Sequence, residues 1–342
     1  MLLSINYPSW LSPEIIPGFP LLRWYGLMYI FAFGTAYFLF NFQIKAGELR
    51  CNNQKIMTGD DIVNFFFWSI LGLLLGARIF SCLIYDSAAY YFTKPWLIFW
   101  PFDKYMNFTG LAGMSYHGGF IGGLLGMILW TRKYKFEILP ILDIMAASIP
   151  LGYTFGRLGN FLNGELYGRI TTSPIGMIFP QVPPHERFSA GEEWVQSFAE
   201  KINMVIPAGS QFVNLPRHPS QLYEAFFEGI ILWLIIWLCR KHKPFHGFLT
   251  GMYIIGYGAF RFIIEYFRQP DFDIGYRFST NTGNPIYKFD SVLNISTGQI
   301  LCLIMILGGT GLLTFFALKN KGKKIPEIQN ETEKITLKNK TK

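Results

Sequence analysis

Charged residues are scarce in this chain of 342 residues. They make up 15% of it, whereas soluble domains average about a quarter. Histidine and cysteine are scarce as well, and there is no CxxC pair, no HExxH motif and no other spacing typical of a zinc site. These shortages argue against a soluble domain and a zinc protease. The four cysteines, which we expect to be inert packing residues, are Cys51, Cys82, Cys239 and Cys302.

The N-terminal stretch lacks basic residues. No Lys or Arg occurs in the first 22 residues, so the basic start of a cleavable signal peptide is missing. We therefore expect the first apolar run to be retained as a membrane span.

Apolar residues, by contrast, are abundant, with 51% of the chain hydrophobic and 18% aromatic. They gather in seven runs of about the 20 residues that a helix needs to cross a bilayer. The sequence therefore predicts an all-α membrane protein in which residues 1–318 form one domain of seven transmembrane helices. The runs cover residues 24–44, 61–85, 114–131, 138–156, 221–239, 247–267 and 298–318.

The basic residues indicate the orientation. More than half of the 30 Lys and Arg residues follow the first, third, fifth and seventh runs, and positive loops stay in the cytoplasm. The N-terminus and the segment 166–217 are then predicted outside, the latter as an irregular periplasmic segment. The tail 319–342 is predicted to be a disordered, basic cytoplasmic extension, which either sets the topology or also binds anionic lipids. The net charge of +8 is explained by basic residues that lie in the predicted cytoplasmic connections, so no nucleic-acid partner is expected.

Polar residues within the runs cluster towards the outer side. An ionisable residue inside a membrane costs about 2.5–3.5 kcal/mol on insertion scales, so each one requires an explanation. Because these polar residues share one level near the outer face, we predict a polar cavity that opens to the outer leaflet. The excess of arginine favours an anionic lipid headgroup as its ligand. The alternative is that single arginines only extend to the interface. The set comprises Tyr25, Arg78, His117, Arg157, Asn160, Arg217, His218, Arg261, Glu265 and Arg268.

The most informative stretch covers residues 156–168 and reads G-R-L-G-N-F-L-N-G-E-L-Y-G. Four glycines at a membrane exit predict a bend, with backbone N–H groups left free to meet an anion. Arg157 adds charge, and Asn160 and Asn163 add oriented amides.

This stretch resembles the signature of the prolipoprotein diacylglyceryl transferase family, G-R-x-G-N-F-x-N-x-E-x-x-G, at every fixed position. Further segments resemble the same family in the same order along the chain. They are residues 23–29, 113–119, 217–224 and 256–270.

The resemblance implies an activity and a location. The enzyme would transfer the diacylglyceryl group of phosphatidylglycerol to the lipobox cysteine in the signal peptide of a prolipoprotein, forming a thioether and releasing glycerol phosphate. It would lie in the bacterial inner membrane and need no cofactor and no metal. The nucleophile would belong to the acceptor, so the enzyme's own cysteines would need no special surroundings.

The resemblance also implies roles for residues. His117 is the expected base, because the unperturbed pKa of histidine suits proton exchange at neutral pH, although it could instead only donate hydrogen bonds at a helix end. Arg157 and Arg261 are expected to bind the phosphate. The remaining substrate-binding residues are expected to be Tyr25, Asn160, Asn163, Glu165, Tyr257, Glu265 and Arg268.

Several roles stay open. Glu165 could be a base, an orienting group or the partner of an arginine, and Glu265 could orient an arginine or form a purely structural pair. His218 and Glu224 are interpreted as anchors of the outer segment. The rival function is an anionic-lipid transporter or receptor, although a transporter typically has midplane sites and an internal repeat, and the sequence shows no repeat.

Overall fold

The computed structural model is mostly helical and divides into two compact units. The first unit comprises Met1–Phe40 with Leu142–Lys324, and the second comprises Asn41–Ile141 with Ile325–Lys342. Most of the predicted tail 319–342 lies outside the described residues. The described residues are 5–16, 18, 22–53, 55–86, 88–102, 105–106, 113–270, 275–281, 283, 285–321 and 325.

Helices occupy all seven apolar runs. The fourth run is divided, because Pro150 lacks an N–H group and starts a new helix after a bend of 46°. The fifth run is continuous, although its middle is a π-helical segment, Ala225–Ile231. The helices are α1 (Trp24–Lys45), α2 (Gly59–Phe80), α3 (Ala88–Thr93), α4 (Tyr116–Lys133), α5 (Ile138–Ala146), α6 (Ile149–Leu162), α7 (Glu193–Lys201), α8 (Ser220–Glu224), α9 (Leu232–Cys239), α10 (Phe248–Ile264) and α11 (Thr297–Lys319).

Not every run is equally suited to cross a membrane. Four helical segments are long and apolar enough: Trp24–Lys45, Gly59–Tyr85, Ser220–His242 and Thr297–Lys319. The bent pair α5–α6 makes a fifth if it counts as one span. The described part of the chain is therefore a mostly helical membrane protein with four to five candidate spans.

In the second unit, α2 and α4 pack with their backbones in direct contact. A Cβ atom added to Gly122 would lie 2.1 Å from the carbonyl oxygen of Gly72, and one added to Gly76 would lie 2.3 Å from that of Gly118. Small residues four positions apart let helix backbones approach closely in a bilayer. A Cβ atom added to Gly119 or Gly123 would meet α2 only at ordinary van der Waals distances of 3.4–4.0 Å. His117 therefore lies at the end of a helix whose position is closely fixed.

In the first unit, a buried carboxylate fixes the start of α10. Asp143 is fully buried and accepts hydrogen bonds from the backbone N–H groups of Gly247, at 2.9 Å, and Thr250, at 3.1 Å. The Lys243 ammonium lies 3.3 Å from the same carboxylate. These bonds satisfy donors that a helix N-terminus leaves unpaired, so α5 determines where α10 begins.

The segment 166–217 is more ordered than the predicted irregular chain. It contains α7 and three short strands, β2 (Met177–Ile178), β3 (Phe188–Ser189) and β4 (Phe212–Val213). Strand β1 (Ile5–Asn6) pairs with β2 in parallel, and β3 pairs with β4 in antiparallel fashion. A small core holds this segment together, consisting of Ile170, Val195, Val213 and Leu215. Strands β5 (Tyr276–Phe278) and β6 (Ile295–Ser296) form a separate pair before α11.

Candidate active site

Arg157 is the centre of a buried polar cluster in the first unit. Its Nε atom donates to the hydroxyl of Tyr153, one turn earlier on α6, at 2.6 Å. The same atom lies 2.8 Å from Oε2 of Glu224 at the end of α8. Nη1 reaches the side-chain oxygen of Asn160 at 3.4 Å. Arg157 is thus held from three sides.

Arg261, on α10, shares the same carboxylate. Its Nη1 atom lies 2.8 Å from Oε2 of Glu224 and 3.7 Å from Oε1 of Glu228. Its Nε atom lies 3.4 Å from Oε2 of Glu265. A single glutamate oxygen therefore joins the two arginines predicted to bind phosphate.

Glu265 extends the cluster to the third arginine. It is buried, and its Oε2 atom lies 3.7 Å from Nη1 of Arg268, while Oε1 accepts from the hydroxyl of Ser296 at 3.1 Å. Glu265 thus contacts one arginine four residues before it and another three residues after it. We call this set the arginine–glutamate network: Arg157, Arg261, Arg268, Glu224, Glu228 and Glu265.

Two glutamates change the predicted charge of the site. Glu224 and Glu228 are both fully buried, and together with Glu265 they balance the three arginines of the network. The carboxylate of Glu224, interpreted from the sequence only as an anchor, pairs with arginines of α6 and α10. Glu228 and Tyr153 were missed altogether. The sequence signal for Glu228 was its position four residues after Glu224 in an apolar run, since a glutamate in a membrane segment requires an explanation.

The end of α6 forms a Schellman motif from the predicted signature. Gly164 has a φ of +65°, and its N–H donates to the carbonyl of Phe161 at 2.9 Å, while the N–H of Glu165 donates to the carbonyl of Asn160 at 3.1 Å. The prediction that glycines here leave N–H groups free for an anion was therefore wrong for these two. They end the helix instead.

Side chains of the same turn also contact one another. The Glu165 carboxylate is exposed and accepts from the amides of Asn160, at 2.9 Å, and Asn163, at 3.4 Å. The last glycine of the signature, Gly168, is required by packing, since a Cβ atom there would lie 2.2 Å from the carbonyl oxygen of Phe267. Residues of the signature thus hold the side chains of the two asparagines and let the chain at Gly168 pack against the residues that follow α10.

The two predicted tyrosines lie close to α6. The hydroxyl of Tyr25 is 3.0 Å from that of Tyr29, and a Cβ atom added to Gly159 would lie 3.3 Å from the Tyr25 ring. The Tyr257 ring packs edge-on against Tyr153, with centroids 5.8 Å apart. Both tyrosines therefore flank the helix that carries Arg157.

His117 and Arg78 belong to the second unit. His117 is exposed at the first turn of α4, and its Nδ1 atom lies 3.0 Å from the hydroxyl of Tyr85 in the π-helical turn Ser81–Tyr85. Arg78 is buried, and its guanidinium donates to the backbone carbonyls of Ile98 and Gly113. Arg78 therefore braces backbone segments within its own unit.

His218 is bound through its backbone to the start of the segment 166–217, and its interpretation as an anchor stays a prediction. Its backbone N–H donates to the carbonyl of Arg169 at 2.9 Å, and its carbonyl accepts from Gly168 at 2.8 Å. Burial, and secondarily the charge of Arg169, lowers the pKa of the His218 imidazole from its ordinary value of 6.5 to about 4. The folded protein therefore holds this imidazole neutral.

We expect this shift to make the fold sensitive to acid. Because the folded pKa lies below the unfolded one, the stabilising effect of the neutral imidazole is complete above pH 6.5 and is lost as the pH falls towards 4. The unfolding temperature in detergent should fall over this range, and less steeply in His218→Gln. The exposed His185 supplies the control His185→Gln, which should follow the wild type. Equal slopes for the wild type and His218→Gln would contradict the assignment.

Comparison with known proteins agrees with the signature. The profile of the prolipoprotein diacylglyceryl transferase family matches residues 14–315. The phosphatidylglycerol–prolipoprotein diacylglyceryl transferase of Treponema denticola is 62% identical, over 94% of this chain and 97% of its own length. The proteins of the same name from Treponema pallidum and Helicobacter pylori are 57% and 39% identical, over 91% and 90% of this chain and 94% and 92% of their own lengths. The chain belongs to the prolipoprotein diacylglyceryl transferase family.

Proposed function

We propose that the protein transfers the diacylglyceryl group of phosphatidylglycerol to the lipobox cysteine of prolipoproteins, the first step of lipoprotein maturation. The observation that carries the proposal is the pair Arg157 and Arg261, joined through one oxygen of Glu224 among membrane helices. The names of relatives that are 57–62% identical over more than 90% of the chain support the same reaction.

The reaction replaces a carbon–oxygen bond of the lipid by a carbon–sulfur bond and moves the thiol proton to a base. The thiol sulfur of the acceptor attacks the glycerol carbon that carries the phosphate, and the bond between that carbon and the phosphate oxygen breaks. Glycerol phosphate leaves with the electron pair of that bond, and the thiol proton passes to a base. The thiolate is the better nucleophile, so the enzyme must assist loss of the proton and stabilise the charge on the leaving phosphate.

Arg157 and Arg261 would stabilise the leaving phosphate. Preorganised cationic donors in a site that excludes water stabilise developing charge more strongly than they would in water. Glu224, Glu228 and Glu265 would hold the two guanidinium groups in place and offset part of the cost of burying them. The headgroup would be positioned by hydrogen bonds with Tyr25, Asn160, Asn163, Glu165, Tyr257 and Arg268.

His117 is the proposed base. It lies exposed at a helix end, and its Nδ1 atom is engaged with Tyr85. If Nδ1 carries the proton and donates to Tyr85, Nε2 is left with a lone pair that can accept the proton of a thiol. A purely positioning role for His117 would leave its effect on the rate independent of pH.

The assay for this function uses the purified protein, phosphatidylglycerol and a membrane-anchored peptide with a lipobox cysteine. We expect a diacylglyceryl thioether and one glycerol phosphate for each thioether formed. A peptide with serine in place of the cysteine should give no product, because a hydroxyl ionises far less readily than a thiol. If the wild type binds the lipid but forms no thioether, the enzyme assignment fails and a lipid transporter or receptor takes its place.

We also propose seven spans, with the N-terminus in the periplasm and the C-terminus in the cytoplasm of a bacterial inner membrane. The segregation of Lys and Arg to alternate connections supports this orientation. Reporter fusions after Lys342 and near Ala190 should report the cytoplasm and the periplasm respectively. Two reporters on the same side would reject the seven-span topology.

A further inference from the structure

Tyr153, which has no role in the reaction described above, lies between a predicted phosphate-binding arginine and a buried glutamate. Its hydroxyl accepts from Nε of Arg157 at 2.6 Å and donates to Oε2 of Glu228 at 2.5 Å. Glu228 is fully buried. A hydroxyl that accepts one bond and donates the other has a single orientation, so it links the two groups in a fixed geometry.

The π-helical segment contributes to this arrangement. Glu224 directly precedes Ala225–Ile231 and Glu228 lies within it, and both carboxylates reach Nη1 of Arg261. π-helical turns often occur at functional sites. Here Glu224 contacts both arginines directly, whereas Glu228 contacts Arg261 directly and Arg157 through Tyr153.

The orientation of Arg157 depends on what holds Nε. A guanidinium is planar and rigid, so acceptors at Nε fix the plane and thereby the direction of the Nη atoms. The Tyr153 hydroxyl accepts the hydrogen bond from this atom, and the Glu224 carboxylate lies 2.8 Å from it as an ion pair. Nη1 then lies 3.4 Å from the side-chain oxygen of Asn160. The amide of Asn160 is also predicted to contact the headgroup.

We propose that Tyr153 and Glu228 are a positioning pair that aims the guanidinium of Arg157 at the phosphate of the lipid donor. This inference rests on the proposed function. Neither residue needs to touch the reacting atoms. Glu228 fixes the hydroxyl of Tyr153, and that hydroxyl fixes Arg157. A small misplacement of a catalytic group can cost up to about 100-fold in rate.

The hydroxyl can be removed without removing the ring. The Tyr153 ring packs edge-on against Tyr257, and the guanidinium carbon of Arg157 lies 4.9 Å from its centroid. Tyr153→Phe keeps both contacts and loses only the two hydrogen bonds. The control Tyr266→Phe removes a hydroxyl that donates to the backbone carbonyl of Val292 at 3.0 Å.

The experiment measures kcat and KM for phosphatidylglycerol in the thioether assay. We expect Tyr153→Phe and Glu228→Gln each to lower kcat about tenfold and to change KM less than about threefold. The kcat of the double variant should be no lower than that of the more impaired single variant, because both changes break one chain of contacts. Tyr266→Phe should keep the wild-type kcat.

Three results would overturn the inference: wild-type kcat in Tyr153→Phe, multiplied losses in the double variant, or losses confined to KM. If Glu228→Gln does not fold, kcat of Tyr153→Phe alone decides. Failure of the proposed function is recognised separately, since the wild type itself would then form no thioether.

Discussion

Arg157→Lys should lower kcat/KM by about 100-fold or more, although it keeps the positive charge. The guanidinium of Arg157 contacts three groups at once, Glu224 and Tyr153 through Nε and Asn160 through Nη1. A lysine ammonium is a compact point charge and cannot reproduce these directions while also contacting a phosphate. The loss should appear mainly in kcat, because the charge that Arg157 stabilises develops as the phosphate leaves.

The matched control is Arg78→Lys in the second unit. Arg78 is also a buried arginine in a membrane helix, but it donates to the backbone carbonyls of Ile98 and Gly113. We expect a much smaller effect on kcat there. Both variants should be compared at equal amounts of folded protein in the same detergent. Turnover of Arg157→Lys close to the wild-type rate would remove Arg157 from the phosphate site.

The positions of the helices could be predicted because each apolar run is long and bounded by polar residues. The break between α5 and α6 was not predicted, since the run 138–156 has the length expected of one span. Pro150 marks the break, and proline at the first turn of a helix is a recognisable signal of a new start. Composition thus locates a span, whereas single residues decide whether it is straight.

The candidate site was predicted in part. The signature and the level of the polar residues identified Arg157, Asn160, Arg261 and Glu265, and the structure brings these together in one unit. The charge balance was not predicted, because pairing of Glu224 with Arg157 joins residues 67 positions apart in the sequence. Sequence spacing reveals neighbours on one helix, but it does not reveal which helices meet.

The segment 166–217 shows that sequence spacing does not reveal contacts between distant positions. Its core joins Ile170, Val195, Val213 and Leu215, which are separated by polar and glycine-containing stretches. These four residues belong to no common apolar run and show no helical or strand periodicity, so the hydrophobic pattern alone predicted an irregular chain. The order of this segment comes from contacts between distant positions.

Glu224→Gln is expected to damage both stability and activity. One Glu224 oxygen lies 2.8 Å from Nε of Arg157 and 2.8 Å from Nη1 of Arg261. A neutral amide of the same shape leaves two buried cations that repel each other. Breaking a buried ion pair typically costs about 3–5 kcal/mol, so the unfolding temperature in detergent should fall clearly. In the protein that remains folded, kcat should fall about 100-fold, because neither arginine keeps its orientation.

Two further variants separate charge from shape. Glu224→Asp keeps the charge but shortens the side chain, so it should retain more stability than Glu224→Gln while remaining impaired in kcat. Glu200→Gln, on the exposed surface of α7, removes a glutamate charge outside the network and should match the wild type in both measurements. If Glu224→Gln unfolds at the wild-type temperature and turns over at the wild-type rate, Glu224 does not hold the two arginines. The phosphate would then have to be the group that brings Arg157 and Arg261 together.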